Sequence, residues 1–274
     1  MPSLQPATKT VVTSTREHFA LITGASSGIG ACFARALAAR GRNLVLVARS
    51  QDKLAALACE ITAKYSVRIE VIAHDLSREG AAASVVAMLK DRAIGVDLLV
   101  NNAGFGAQGE FWKLPRDRQS EMLRLNIVAL TELSHLLLPA MMERRGGGII
   151  NVSSTASFQP VPYTSVYSAT KAYVTSFSMA LAEEVRPYGV TVLALCPGGT
   201  ATGFFEASQY TKRDFPGGLQ SPEEVAEVGL CAFDRGRSLA ITRFIHKLVV
   251  FALRVSPRRL VIRVAGDMFR AKNA

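Results

Sequence analysis

Tyr167 and Lys171 stand four residues apart in Tyr167-Ser168-Ala169-Thr170-Lys171, within a helix-periodic stretch over 165–188. That spacing puts both side chains on one helical face. A phenol titrates at about 10 and is a poor base at neutral pH. A neighbouring ammonium stabilises the phenolate, so Lys171 is expected to bring Tyr167 toward the working range of an acid/base catalyst. Thirteen residues before Tyr167, Ser154 follows the apolar run 148–153, and a hydroxyl there could polarise a carbonyl. Ser153 reads as its structural twin. A Tyr–Lys pair alone also arises by chance on helix surfaces, so its meaning depends on what surrounds it.

A second set of residues points to a phosphate. The run Thr23-Gly24-Ala25-Ser26-Ser27-Gly28-Ile29-Gly30 closes an apolar stretch and opens a helix-periodic one. Glycines let a backbone turn sharply and approach a pyrophosphate, whose charge the N–H groups of a helix start can meet. The spacing is Gly-x-x-x-Gly-x-Gly. After the next apolar run comes Val47-Ala48-Arg49-Ser50, with no acid to bond ribose hydroxyls and with a guanidinium able to pair with a 2′-phosphate. The expectation is NADP rather than NAD.

The elements that must position these groups alternate regularly. Strands are expected at 18–23, 43–48, 68–74, 96–101, 148–153, 190–196 and 237–242. Helices are expected at 28–40 (with Gly41 ending it), 51–65, 78–91, 117–144 and 165–188. The strands are short, continuous and rich in β-branched residues (LVLVA, DLLVN, TVLAL), as in a parallel sheet covered on both faces. The alternation predicts an α/β, doubly wound fold.

With these motifs in place the sequence resembles the short-chain dehydrogenase/reductase family, in its compact branch. The match runs over about 18–202 through TGASSGIG (23–30), DL (75–76), NNAG (101–104), Leu125-Asn126, VSS (152–154), YSATK (167–171) and PGGTAT (197–202), in the family's order. The resemblance implies a Rossmann-type sheet of about seven strands in the order 3-2-1-4-5-6-7. It implies that Tyr167 donates the proton on reduction, that Ser154 orients the carbonyl and that Lys171 holds the nicotinamide ribose. Asn126 would hold a water linking Lys171 to solvent. Gly24, Ser26, Ser27, Gly28, Ile29 and Gly30 would form the cofactor turn, and Asp75 and Leu76 would line the adenine pocket. Asn101, Ala103 and Gly104 would stabilise the sheet and border the cofactor, with Pro197, Gly198, Thr200 and Thr202 at the nicotinamide end. The resemblance extends to the DltE-like group and, more distantly, to ketoacyl and steroid reductases. An epimerase or dehydratase, and an NADP-binding membrane-surface protein without turnover, remain as alternatives.

Composition bounds the remainder. Of 274 residues, 49% are hydrophobic and 20% charged, which reads as globular. Cys32, Cys59, Cys196 and Cys231 are scattered without metal-ligand spacing, suiting a reducing compartment and no metal. The first 16 residues read as a leader without a secretory apolar core, and no uninterrupted apolar stretch reaches the length of a membrane span. A cytoplasmic location is expected. The net charge of +10 sits in the tail, where residues 235–274 hold ten Lys or Arg against Asp267, so nucleic acid is not an expected partner of the body. Residues 17–242 would form the catalytic unit, with a substrate lid at about 199–218 containing Phe204, Phe205, Tyr210 and Phe215. Phe105, Trp112, Phe158 and Tyr163 could add apolar walls for an apolar carbonyl or alcohol substrate.

Residues 243–274 would form a basic amphipathic extension. Ile245, Leu248, Val249 and Ala252 share one expected face of a first helix, and Ser256-Pro257 reads as the start of a second carrying Leu260, Val261, Val264, Ala265 and Met268. The pair either packs on protein or rests peripherally on an anionic membrane through about 243–272. A homo-oligomer, paired through 117–144 and 165–188, is expected by the resemblance.

Overall fold

Along the first strand, Ala20 and Ile22 enter one core and Phe19 and Leu21 the other, so both faces of the sheet are buried. The second strand divides the same way, with Leu44 and Leu46 against Val45 and Val47. A strand buried on both sides needs apolar residues at every position, which explains the continuous runs. The structure, a computed structural model, describes residues 18–204, Ser208 and residues 218–270. The expected leader and most of the expected lid, including Phe205, Tyr210 and Phe215, lie outside the described residues.

Seven strands make one parallel sheet: β1 (His18–Thr23), β2 (Asn43–Ala48), β3 (Ile69–Ala73), β4 (Gly95–Asn101), β5 (Gly148–Val152), β6 (Thr191–Cys196) and β7 (Leu239–Ile241). Their order is β3-β2-β1-β4-β5-β6-β7, the doubly wound arrangement expected. The chain winds outward in one direction from β1 and in the other from β4, which opens a crevice at their carboxyl ends. Both the glycine turn and NNAG stand there. Helices α1 (Gly28–Ala39) and α2 (Gln51–Thr62) cover one face with Phe33, Leu37, Leu54 and Ile61. Helices α3 (Ala81–Asp91), α5 (Leu130–Glu143) and α6 (Ser165–Val185) cover the other with Val85, Leu89, Leu133 and Met141.

Several boundaries depart from expectation. Helix α3 starts at Ala81 rather than Arg78, because Gly80 before it adopts a left-handed conformation (φ 70°). The helix expected over 117–144 is α4 (Arg116–Leu123) joined to α5 by a π-turn at Arg124–Ala129. By length and composition alone the helix Arg116–Glu143 could cross a membrane, although charged residues interrupt it, so the expectation that no uninterrupted apolar stretch reaches that length stands. Here its Leu133, Leu137 and Met141 are core residues of the sheet.

A helix that was not expected, α7 (Pro222–Asp234), packs Gly229 against Leu195 and Phe33. Its start is legible afterwards: the Ser221 hydroxyl accepts from the Glu224 amide and Pro222 takes the first turn. Beyond β7, α8 (Phe244–Val255) and α9 (Arg258–Phe269) form a helical hairpin. Ser256 does not start the second helix as expected; its hydroxyl donates back to the Ala252 carbonyl, and Pro257 occupies the cap position.

Asn101 and Asn151 pair across β4 and β5, with Asn101 Nδ2 donating to Asn151 Oδ1 (2.9 Å) and Asn151 Nδ2 donating to Ser178 Oγ (2.9 Å). This buried chain ties the sheet to α6. Asn151→Ala should lower unfolding free energy by about 1–3 kcal/mol, because the remaining buried groups lose their partners; denaturant titration measures it.

Candidate active site

The floor of the crevice is built where β5 ends and α6 begins. Helix α6 carries Tyr167 and Lys171 on one face, and both line a cavity of about 1010 Å³ at the carboxyl ends of the strands. Lys171 is buried, and its Nζ donates to the Val152 carbonyl (2.8 Å) at the end of β5. It lies 5.8 Å from the centre of the Tyr167 ring. Ser154 follows β5 in extended conformation; its Oγ accepts from the Ala156 amide (3.1 Å) and hydrogen-bonds the Tyr167 side chain. Ser153 is buried, donating to the Lys171 carbonyl (2.9 Å) and bonded to Thr175 (2.7 Å). It holds α6 against the sheet.

The electrostatics differ from the sequence expectation. Burial pushes the Tyr167 phenol up to about 12, and its bond with Ser154 offsets this only in part. Burial also pushes Lys171 down to about 8, partly offset by Cys196. Lys171 is not among the causes that move the phenol; burial dominates there, and the Lys171 ammonium instead donates to the Val152 carbonyl. Cys196 is fully buried against Thr175 and its thiol is pushed up, chiefly by burial, so it packs as a small hydrophobe.

Asn126 sits in the π-turn, buried, with its side chain fully engaged. It accepts from the Phe105 amide (3.2 Å) and donates to the Phe105 carbonyl (3.0 Å) and to Thr170 Oγ1 (3.1 Å). Gly104 lies against it: a Cβ there would stand 3.0 Å from Asn126 Oδ1 and 3.6 Å from Lys171 Nζ. Asn126 does not itself line the cavity.

The glycine turn is shaped by close approach. Gly24 has φ +65°, and a Cβ on it would meet the Asn102 side chain at 2.8 Å and Ala103 Cα at 2.9 Å. Gly28, at φ +56°, faces the Thr202 methyl group. A Cβ on Gly30 would come within 2.4 Å of the Gly24 carbonyl oxygen. The turn therefore packs its glycines closely at the start of α1, where Ser27 makes no side-chain cap bond to the first amides, a cradle suited to a pyrophosphate. Gly24, Ser26, Ser27, Gly28 and Ile29 line it.

Gly30 and Asn101 do not line the cavity, contrary to their expected placement among cofactor contacts. Gly30 lets α1 close on the turn, and Asn101 is spent on Asn151, Ser134 and the Leu130 carbonyl. The neighbour that does face the cavity is Asn102, whose Nδ2 donates to the Thr23 and Gly24 carbonyls (2.9 and 3.2 Å) and pins the turn.

At the adenosine end, Arg49, Asp75 and Leu76 line the cavity together with Lys53. Burial raises Asp75, but the Ser77 hydroxyl and amide, with Arg49 and Arg78, outweigh it and hold the carboxyl below its usual range. The Arg49 side chain is 68% exposed, and Nη1 lies 3.7 Å from Glu121 Oε1, an ion pair loose enough to release toward a phosphate.

At the other end, Pro197, Gly198, Thr200 and Thr202 line the cavity, as do Ala103 and Gly104. Gly198 is packed by His246 from α8: a Cβ there would clash with the imidazole at 2.1 Å.

The apolar walls are only partly those expected. Phe105 and Phe204 line the cavity; Arg118 stacks 4.0 Å over the Phe105 ring, and the Phe204 ring stands 5.4 Å from that of Tyr167. Trp112 is 75% exposed, and neither it nor Phe158 or Tyr163 is on the wall. The larger apolar share comes from the C-terminal hairpin, with Val249, Val250, Leu253, Val261, Ala265 and Met268. Their helical spacing was visible in the sequence, but nothing local said which side would roof the site.

The sheet order, the crevice and the residues at its floor define a dinucleotide-binding oxidoreductase fold. The family model described as short chain dehydrogenase matches residues 18–213, and the chain belongs to the short-chain dehydrogenase/reductase family. Among its relatives are Hydroxysteroid dehydrogenase-like protein 1 of Gallus gallus, 39% identical over 202 residues (72% of this chain, 60% of the relative), and Very-long-chain 3-oxoacyl-CoA reductase of Macaca fascicularis, 33% identical over 263 residues (93% of this chain, 80% of the relative). The chain thus spans only about 60% of the length of the first of these. A relative from Homo sapiens, 35% identical over 200 residues (72% of this chain, 60% of the relative), is named an inactive hydroxysteroid dehydrogenase-like protein 1. Among solved structures, a short-chain dehydrogenase from Sphingobium yanoikuyae in complex with NADPH aligns with TM-score 0.78 at 32% identity, over 93% of this chain and 98% of that one.

The buried ammonium has a consequence for stability. From about pH 8 up to the ordinary lysine value of 10.5, the unfolded chain holds a proton on Lys171 that the folded chain has lost, so stability contributed by this group rises with pH. Replacing Lys171→Met should remove that rise and leave stability at pH 7 equal or higher. Denaturant midpoints of both proteins between pH 7 and 10.5 would show it.

Proposed function

We propose that the protein is an NADP(H)-dependent oxidoreductase that interconverts a carbonyl and an alcohol, reducing an apolar ketone or aldehyde. The observation that carries this reading is the convergence of Ser154, Tyr167 and Lys171 on one end of a cavity whose adjoining wall is apolar. The cradle left by Gly24 and Gly28 at the start of α1 fits a pyrophosphate, and Arg49 and Lys53 fit a 2′-phosphate at the end of β2. Asp75 and Leu76 would border the adenine, and Thr200 and Thr202 the nicotinamide. When bound, the nicotinamide supplies hydride to the carbonyl carbon or accepts it from the alcohol.

The chain's own residues handle the oxygen and the proton. Ser154 donates a hydrogen bond to the carbonyl oxygen and orients it beside Tyr167. A phenol held at about 12 keeps its proton until the oxygen it faces acquires alkoxide character, a stronger base than phenolate, and then gives it up. Lys171 holds the ribose hydroxyls and returns the proton. Because the Asn126 amide is spent on Phe105 and Thr170, a relay water would be held by main chain of the π-turn.

Residues 17–242 form the catalytic unit in this reading and 243–274 its extension, whose helices α8 and α9 line the site. Apolar side chains left half-exposed on α4 to α6 and the joining π-turn (Leu123, Val128, Leu136, Tyr173, Met179) suit pairing into a homodimer. Scattered thiols suit a reducing compartment such as the cytoplasm.

A panel of apolar ketones and aldehydes, followed by NADPH absorbance, tests the reading. Tyr167→Phe should lower turnover by roughly 10²–10⁴ while leaving NADPH binding in place; undiminished turnover would remove Tyr167 as the acid. Net NADPH consumption also separates reduction from epimerisation. Arg49→Ala should weaken NADP binding roughly tenfold or more with little effect on NAD. Reduction should decline above about pH 8 as Lys171 loses its charge, whereas alcohol oxidation, which needs the phenolate, should climb with pH.

A further inference from the structure

The C-terminal hairpin has two apolar sides, and the fold uses one. Along α8, His246, Val249, Val250 and Leu253 recur at helical spacing and face inward, all four onto the cavity. Phe244, Leu248, Phe251 and Val255 recur on the opposite side and are 72%, 49%, 67% and 72% exposed. None of those four touches the cavity. This differs from the face expected from the sequence: Ile245 and Ala252 are exposed at its edge, and only Val249 of that set turns inward. A continuous stripe with two phenylalanines is unusual on a water-facing helix and marks an interaction surface.

The charges beside the stripe narrow the partner. Residues 243–270 carry seven Lys or Arg against one acid, Asp267. Arg243 is taken up by Glu224 (2.9 and 2.8 Å), and Arg270 reaches Tyr163 and Asp267. Lys247, Arg254, Arg258, Arg259 and Arg263 make no ion pair among the described residues, and Lys247 and Arg254 sit in adjacent helical rows beside Phe251. Two copies meeting through this face by a two-fold axis would set cations against cations. An apolar stripe fringed by unpaired cations is instead complementary to an anionic lipid surface: rings enter the acyl boundary and the long side chains reach the headgroups.

We propose that the outer face of α8, continued by the basic residues of α9, docks on an anionic bilayer. Because Val249, Val250 and Leu253 on the inner side of α8 wall the cavity that holds Tyr167, docking leaves one layer of helix between lipid and the catalytic floor. An apolar carbonyl substrate then enters beside the hairpin from the bilayer rather than from water. The docking surface stands on geometry and charge; what enters rests on the reductase reading above.

The test is co-sedimentation of the full chain with vesicles of phosphatidylcholine and phosphatidylglycerol in equal parts, against vesicles of phosphatidylcholine alone. Binding is expected to the anionic vesicles at low salt and is expected to fall at least tenfold near ~1 M salt, where the Debye length is about 3 Å. The variant Phe244→Ser/Phe251→Ser should bind at least roughly tenfold more weakly, with unchanged thermal unfolding, NADPH binding and turnover of a water-soluble ketone. Absence of binding at low salt, or equal binding by that variant, overturns the proposal. So does a dimer that the double variant converts to monomer by light scattering, which would assign the stripe to a second copy. Turnover without docking sinks the docking proposal alone; docking without turnover sinks the reductase reading alone.

Discussion

An ammonium taken out of water needs a partner, and the Lys171 Nζ finds one in the Val152 carbonyl at the last residue of β5. Burying that charge opposes folding, so the residues around it are arranged to limit the cost. The Ser153 hydroxyl ties the Lys171 backbone to the sheet, and Asn151 ties α6 to β4 through Asn101. Gly104 leaves room for both Asn126 and the ammonium where a side chain would press on them. The π-turn carries Asn126 into that same space. Each of these features lies at the carboxyl end of a strand or in the helix facing it, so the floor of the cavity and the sheet's central hydrogen-bonded network are one construction.

The same logic of close approach governs the cofactor side. Asn102 pins the carbonyls of Thr23 and Gly24, which fixes the turn from β1 into α1 and leaves its backbone amides to face a ligand. Uncharged residues line the cavity at this turn, whereas Arg49 and Lys53 stand at the end of β2 and the start of α2. Arg49 is held loosely between Glu121 and Asp75. The turn fixed by Asn102 and the loosely paired Arg49 are thus separate features of one cavity.

Over this base the chain places its C-terminal helices. The α8–α9 hairpin brings His246 down onto Gly198 and closes the apolar side of the cavity, so residues far from the catalytic helix in sequence determine the size and polarity of the substrate space. Its latch is polar: Gln108 donates to the Phe269 carbonyl (2.8 Å), and Arg270 donates to the Tyr163 hydroxyl (3.0 Å). The hairpin's two sides face different environments, and that asymmetry links the interior of the site to the surface.

Local chemistry made much of this legible in advance. Continuous β-branched runs alternating with helical periodicity required a parallel sheet covered on both faces, and Gly24, Gly28, Tyr167, Lys171 and Ser154 sit where the motif spacing placed them. Some losses were local signals overlooked, such as the Ser221-Pro222 start of α7. Others could not be read from a linear pattern. Whether Lys171 lowers the phenol of Tyr167 depends on desolvation, which only the packed cavity sets. Whether Asn101 or Asn102 faces the ligand depends on strand pleat and pairing. Which side of α8 is inner depends on the body it meets, because a helix with apolar residues on two sides has no preferred inner face until a partner chooses one. Residue chemistry, element order and fold class were readable from the linear chain, since those follow from short-range spacing. The tertiary structure alone decided burial, and with it the protonation tendencies, the walls of the substrate space and the surface left over for a partner.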